Sequence, residues 1–217
     1  MNQVSISEVF LSPQGEVDVG SMSIFVRFAG CNLIHRGLGC SWCDSKYAEQ
    51  GKEMSINEIV KEVVNLAPCD NIVITGGESL NQKESVFELI ETCREKGFRF
   101  SFNLETNGTI YDSRLAFFKR ISISPKRQAI DSKVLKRLNK FPQVRWKFVY
   151  ESRSDRWWEY LIDSLGIDFR KVWIMPEGIT WVRQLELGLE VIEYCRLNGY
   201  NFSPRLQILY YGNKRGV

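Results

Sequence analysis

The chain has a single histidine, His35, and almost no excess of charge of either sign: 29 lysines and arginines stand against 26 aspartates and glutamates in 217 residues. A balance this close sets up no global field for nucleic acid or a membrane surface, so neither is expected as a partner. No apolar run approaches the roughly 20 residues of a membrane-crossing helix. The N-terminal residues lack the apolar core of a secretory signal, and a cytoplasmic protein is expected. Repeats, low-complexity tracts and linkers are also missing. The length suits one substantial domain better than two, and residues 1–217 are read as one unit.

Six cysteines are present, and in a reducing compartment they are poor disulfide candidates. Cys93 and Cys195 fall in helical patterns and read as small buried hydrophobes. Cys31, Cys40 and Cys43 cluster in CNLIHRGLGCSWC, directly after the strand-like run SIFVRFAG. Three thiolates are one too few for a closed tetrahedral site, so one metal position is left for an exogenous ligand. The C-x8-C-x2-C spacing alone leaves zinc and iron–sulfur ligation both open. His35, inside the loop, is a possible fourth ligand or simply part of the insert.

Strand-like and helix-like segments alternate nearly to the end. Strands are predicted over Ser5–Phe10, Ser23–Ala29, Asn71–Thr75, Arg99–Glu105, Ile121–Ser124, Val144–Tyr150, Lys171–Met175 and Leu206–Tyr210. Several are apolar on both faces, as buried parallel strands are. Helices are predicted after the capping-box pair Ser55/Glu58, over Lys83–Lys96 ahead of Gly97, and from about Thr180 to Asn198 ahead of Gly199. This order predicts an α/β fold with a parallel sheet, open or rolled into a barrel, whose ligands bind at the carboxyl ends of the strands. The cysteine loop and the turn Thr75-Gly-Gly-Glu78 both follow strands. Paired glycines admit a close backbone approach, and the carboxylate of Glu78 is suited to an ammonium group. In the strand IFVRFAG, Phe25, Arg27 and Ala29 share one face, and a guanidinium there requires an anionic partner.

The cysteine triad together with the Gly-Gly-Glu turn resembles the radical S-adenosylmethionine (SAM) enzymes, whose usual cysteine spacing is C-x3-C-x2-C. Further segments resemble one branch, the 7-carboxy-7-deazaguanine synthases: EVFLSPQGE, FVRFAGCNL, CDSKYA, VITGGESLNQ, LETNGT, SPK, KFV, MPEG and YYGNKRGV, in family order from residue 8 to residue 217. The resemblance implies an incomplete TIM-like barrel, reduced in helix content. It implies a [4Fe–4S] cluster on Cys31, Cys40 and Cys43, SAM on its open iron, and magnesium on Ser45. By resemblance, SAM contacts fall to Trp42, Cys43, Asp44, Gly77, Glu78, Ser124, Pro125, Lys126, Ile174, Met175, Pro176 and Glu177. The pterin substrate, 6-carboxy-5,6,7,8-tetrahydropterin, would meet Pro13, Gln14, Gly15, Arg27, Thr75 and the carboxylate of Val217. No side chain is expected to act as acid or base, because the radical is generated on SAM. Glu105 and Asn107 read equally as turn residues and as ligand contacts.

Between Lys119 and Lys140 eight lysines and arginines face one acid, Asp131. The stretch reads as a solvated helix face or as a dock for an acidic electron donor such as a flavodoxin. A homodimer is implied by the resemblance alone, and no exposed periodic stripe is apparent. Two other classes remain open at this point: another small radical SAM enzyme, such as a glycyl-radical activase, and a non-enzymatic zinc or iron–sulfur binding protein.

Overall fold

The computed structural model of the chain describes residues 3–40, 43, 50–66, 68–212 and 214–216. Nine strands form one sheet: β1 (Val4–Pro13), β2 (Met22–Phe28), β3 (Lys52–Met54), β4 (Asn71–Gly76), β5 (Ser101–Thr106), β6 (Arg120–Ile123), β7 (Val144–Tyr150), β8 (Val172–Pro176) and β9 (Asn201–Phe202). Their order is β3-β1-β2-β4-β5-β6-β7-β8-β9. From β2 to β9 every pairing is parallel, whereas β1 runs antiparallel to both of its neighbours. Among the described residues the edge strands β3 and β9 do not meet, so the barrel is incomplete, as expected.

The two faces of this sheet follow the period-2 rule for strands. One face carries Ile24, Val26 and Phe28 of β2, Ile72 and Ile74 of β4, Phe102 and Leu104 of β5, and Trp146, Phe148 and Tyr150 of β7. These side chains are buried in one apolar core beneath the helices. At roughly 1.5–3 kcal/mol for each large side chain removed from water, this layer is the main source of stability. The opposite face carries Arg27, Thr75, Glu105, Ser122 and Lys147, from five different strands, and all of them line one cavity. The sheet therefore wraps around a polar interior.

The helices are α1 (Asn32–His35), α2 (Ile56–Asn65), α3 (Lys83–Glu95), α4 (Ser132–Leu138), α5 (Trp158–Leu165), α6 (Trp181–Asn198) and α7 (Leu206–Tyr211). The predicted capping box is formed in both halves: Glu58 N donates to Ser55 Oγ, and Ser55 N donates to Glu58 Oε2 at 2.7 Å. Gly199 closes α6 in the left-handed conformation, φ 70°. Cys93 and Cys195 are buried, at 0% and 3% exposure.

Two expectations are corrected. The predicted strand Leu206–Tyr210 is helix α7. A five-residue, mostly apolar run carries too little periodicity to separate the two states, and the last parallel position is filled by β9, which stops before Pro204. The chain then turns into α7, with Leu206 N donating to Gly15 O at 2.9 Å. Second, an exposed apolar stripe does exist: Trp181, Leu185, Leu189 and Ile192 recur at helical spacing on α6 and are 44–78% exposed. It escapes a reading from sequence because the buried face of α6 is also apolar.

Candidate active site inside the barrel

The cysteine loop is held by three supports beyond its own sequence. Gly30 O accepts from Glu78 N at 2.9 Å. Asn32, opening α1, donates to Thr109 Oγ1 at 2.8 Å and accepts from Asn107 Nδ2 at 2.9 Å. Gln82 donates to Ala29 O and Ser5 O, both at 3.0 Å. Segments VITGGESLNQ and LETNGT thus act together as the bed of the loop. Cys31, Cys40 and Cys43 are all reduced, half-buried and turned to the same cavity. His35 ends α1 and is exposed.

Do these residues fit a cluster? The three thiols border one common space, and three thiolates with one metal position left open are the donor set of a cluster that takes an exogenous ligand. Burial raises the pKa of Cys40 and the neighbouring Lys126 ammonium pulls against it. Lys126 is itself shifted down by burial, with Cys40 and Cys43 opposing that shift. A cation beside thiols stabilises thiolate and hence a thiolate-ligated cluster. The donor set fits.

For SAM the cavity offers backbone at Gly76 and Gly77, then Ser124, Lys126, Met175, Glu177 and Gly178. Lys126 Nζ donates to Ser124 Oγ at 2.9 Å. Pro125 is buried between them. The expected run Ile174–Glu177 is only partly placed here. Ile174 and Pro176 do not line the cavity; Ile174 is fully buried in the core on the opposite face of β8. The lining residues are those one place further on. Their turn is braced from α6: the Gln184 amide donates to the carbonyls of Pro176, Glu177 and Gly178, at 2.9–3.2 Å.

Glu78 is held on several sides by the chain itself. Its carboxylate is 1% exposed and does not line the cavity. It accepts from Asn107 N at 2.7 Å, from Thr106 Oγ1 at 2.9 Å and from Leu80 N at 3.2 Å. Burial raises its pKa while these donors lower it, with a net rise. The carboxylate ties the β4 and β5 loops together. Gly76 and Gly77 have a steric reason to lack a side chain. Gly76 has φ 147°, and a Cβ on either residue would strike the cysteine loop or the strand before it.

On the pterin side, Arg27 lines the cavity with its Nε donating to Glu8 Oε1 at 2.8 Å. The ion pair that its position required is therefore present. Thr75 Oγ1 donates to Glu105 Oε2 at 2.7 Å. Pro13, Gln14 and Gly15 also border the cavity. The Gln14 side chain, however, is committed elsewhere: its amide donates to Ser23 Oγ at 3.0 Å and its oxygen accepts from Arg120 Nη2 at 2.5 Å. Ser23 in turn accepts from Asn71, which accepts from Asn103, both at 2.6 Å. Arg120 also pairs with Asp18. This network forms a polar floor at the amino-terminal ends of the strands, leaving the 13–15 backbone to face a ligand.

Glu105 and Asn107, ambiguous in sequence, both line the cavity, and so do Glu16, Lys147, Arg205 and Gln207. Strand parity with Arg27 and Thr75 was the available signal for Glu105 and Lys147; nothing local marks Arg205 or Gln207. Trp42, Asp44, Ser45 and Val217 lie outside the described residues. The segment leading to Val217 borders the cavity at Gly212, Lys214 and Gly216, and Arg215 Nε lies 3.7 Å from Glu8 Oε2.

The basic stretch is divided. Lys133, Lys136, Arg137 and Lys140 are exposed on or beside α4. Arg120 belongs to the floor and Lys126 to the cluster end of the cavity, so the solvated-face reading holds for only part of it.

Comparison with known proteins agrees with this geometry. The family model of the Radical SAM superfamily matches residues 26–152. The chain is 32% identical to the 7-carboxy-7-deazaguanine synthase of Hyperthermus butylicus, over 94% of this chain and 91% of that one. It is also 32% identical to the 7-carboxy-7-deazaguanine synthase of Rhodopirellula baltica, over 98% and 88%. In fold it resembles the crystal structure of QueE from Escherichia coli, with a TM-score of 0.71 and 22% identity over 94% of both chains. From its thiol triad to its polar interior, the chain belongs to the radical SAM superfamily and, within it, to the 7-carboxy-7-deazaguanine synthase family.

Proposed function

We propose that this chain converts 6-carboxy-5,6,7,8-tetrahydropterin to 7-carboxy-7-deazaguanine with loss of ammonia, in deazapurine biosynthesis of the queuosine type. The observation that carries the reading is the opening of three thiols and a polar strand face onto one cavity. A glycyl-radical activase and a zinc-binding module would both use the thiols, but neither reading accounts for the polar chamber behind them.

Cys31, Cys40 and Cys43 would hold the [4Fe–4S] cluster; Ser124, Lys126, Met175, Glu177 and the Gly76-Gly77 backbone would hold SAM. When bound, cluster and SAM together supply a carbon-centred radical able to take a hydrogen atom from substrate. The protein's task is placement. Arg27 offers a guanidinium to the substrate carboxylate while Glu8 fixes its orientation. Thr75 and Glu105 set hydrogen-bonding groups beside it, and the floor beneath Gln14 keeps water from the far end of the chamber. For magnesium, Ser45 supplies a hydroxyl oxygen, the hard donor type this ion accepts.

Two partners belong to the same proposal. The exposed cations of α4 are offered as the dock for an acidic flavodoxin-like donor; reduction by flavodoxin should then weaken with salt while reduction by dithionite should not. The stripe on α6 is offered as the contact of a homodimer. The decisive experiment uses anaerobically reconstituted protein with SAM, magnesium, dithionite and 6-carboxytetrahydropterin, and product is sought by mass spectrometry. 7-Carboxy-7-deazaguanine is expected. Release of 5′-deoxyadenosine without it would keep the superfamily chemistry and overturn the substrate.

A further inference from the structure

Lys147 sits on the inner face of β7 with its side chain 9% exposed, between two carboxylates contributed by distant parts of the chain. Its Nζ pairs with Glu16 and lies 3.9 Å from Glu105 Oε1. The other oxygen of Glu16 accepts from Gln207 Nε2 at 3.0 Å and lies 3.5 Å from Arg205 Nε. The other oxygen of Glu105 accepts from Thr75. All three charged groups line the cavity.

Two carboxylates brought into one partly dry chamber repel each other, and one of them ordinarily takes up a proton. A cation between them removes that tendency. Here burial raises the pKa of Glu16, but Lys147 and Arg205 outweigh it and hold the carboxyl at about 2. Burial likewise works against the Lys147 ammonium, and Glu16 and Glu105 more than offset it. Glu16 and Glu105 line the chamber on either side of the Lys147 ammonium, an arrangement suited to a ligand rich in N–H groups, as the aminopyrimidine ring of a pterin is.

We propose that Lys147 is a positioning residue for the substrate: it acts through Glu16 and Glu105, holding both as oriented acceptors for the ring N–H groups. The inference rests on the pterin reading above and adds to it a residue that works from behind the contact.

The test uses reconstituted Lys147→Met and Lys147→Arg proteins beside the wild type. Pterin and SAM affinities are measured calorimetrically, iron content is determined, and kcat and KM are taken for 6-carboxytetrahydropterin. Lys147→Met should raise the pterin Kd and KM at least tenfold, with SAM affinity and iron content within twofold of wild type. Lys147→Arg should recover most of the loss. Since Lys147→Met strands a buried carboxylate, the double variant Lys147→Met/Glu16→Gln provides a folded control and should also bind pterin weakly. Unchanged pterin binding in either Met variant overturns the inference, as does an equal loss of SAM affinity and iron. A wild type that neither binds nor converts the pterin overturns the functional reading itself, and the inference with it.

Discussion

The backbone of Gly77 packs directly on the first cysteine of the triad, so that a Cβ there would stand 2.8 Å from Cys31 Cβ. The next residue continues the contact, Glu78 N donating to Gly30 O. The glycine turn and the cysteine loop therefore move together or not at all. Gly77→Ala should displace Cys31 and reduce iron content after reconstitution to less than half. Circular dichroism should be unchanged, because the strand core is untouched. A Gly77→Ala protein with full iron would show that the loop can yield.

Glu78→Gln separates two roles for this residue. Replacing a buried acceptor by an amide that presents N–H to the Asn107 N–H removes a charge-assisted hydrogen bond and costs about 2–3 kcal/mol. The expected result is a Tm lower by several degrees together with a loosened cluster loop. If SAM affinity fell at an unchanged Tm, the carboxylate would be a ligand after all.

Gln184 braces all three carbonyls of the turn 176–178, which Arg205 also holds at Gly178 O. In Gln184→Leu the carbonyls of Pro176, Glu177 and Gly178 lose their shared donor, and SAM affinity should fall about tenfold, the order of one lost hydrogen bond of ~1.4 kcal/mol. Pterin affinity should fall less than SAM affinity, since Gln184 reaches the Arg205 side at one remove, through the shared Gly178 carbonyl. Calorimetry with each ligand separately reads both.

Acid stability should depend on Glu16. Its carboxyl is held at about 2 in the folded protein against an ordinary 4.5. The folded state therefore binds fewer protons than the unfolded chain between these values. The contribution is complete above about pH 4.5 and is lost as pH falls towards 2. Glu16→Gln should flatten the dependence of unfolding free energy on pH across that window and leave its slope above pH 5 unchanged. Urea unfolding at a series of pH values measures both.

If the α6 stripe is a contact between copies, Leu185→Glu/Leu189→Glu should shift the protein to monomer in sedimentation. Both side chains are exposed at 56% and 78%, so Tm of the monomer should change little.

Much of this arrangement is legible in the sequence because strand parity and motif position are local properties. Ile24, Val26 and Phe28 face the core and Phe25 and Arg27 the cavity, as alternation alone requires. What fails is whatever depends on distant partners. A carboxylate after two glycines gives no local sign that Thr106 and Asn107 from the next strand make Glu78 a buried tie. Nothing near Gln14 in sequence shows that Arg120, 106 residues away, holds its side chain and leaves the backbone to the cavity. The helix at Leu206–Tyr211 is hidden for the same reason, because its first turn is anchored on Gly15 rather than by any capping signal of its own.

The antiparallel course of β1 has a consequence for how such an enzyme could change. Pro13 pairs with Met22 at the start of β2, whereas Cys31 follows the end of that strand. The turn 13–16 and the thiol loop therefore reach the chamber from opposite ends of the barrel. The hydrogen bonds that brace the turn, around Gln14 and Arg120, share no residue with those that brace the thiol loop, around Asn107 and Gln82. Substitutions in the floor therefore leave the bed of the thiol loop intact.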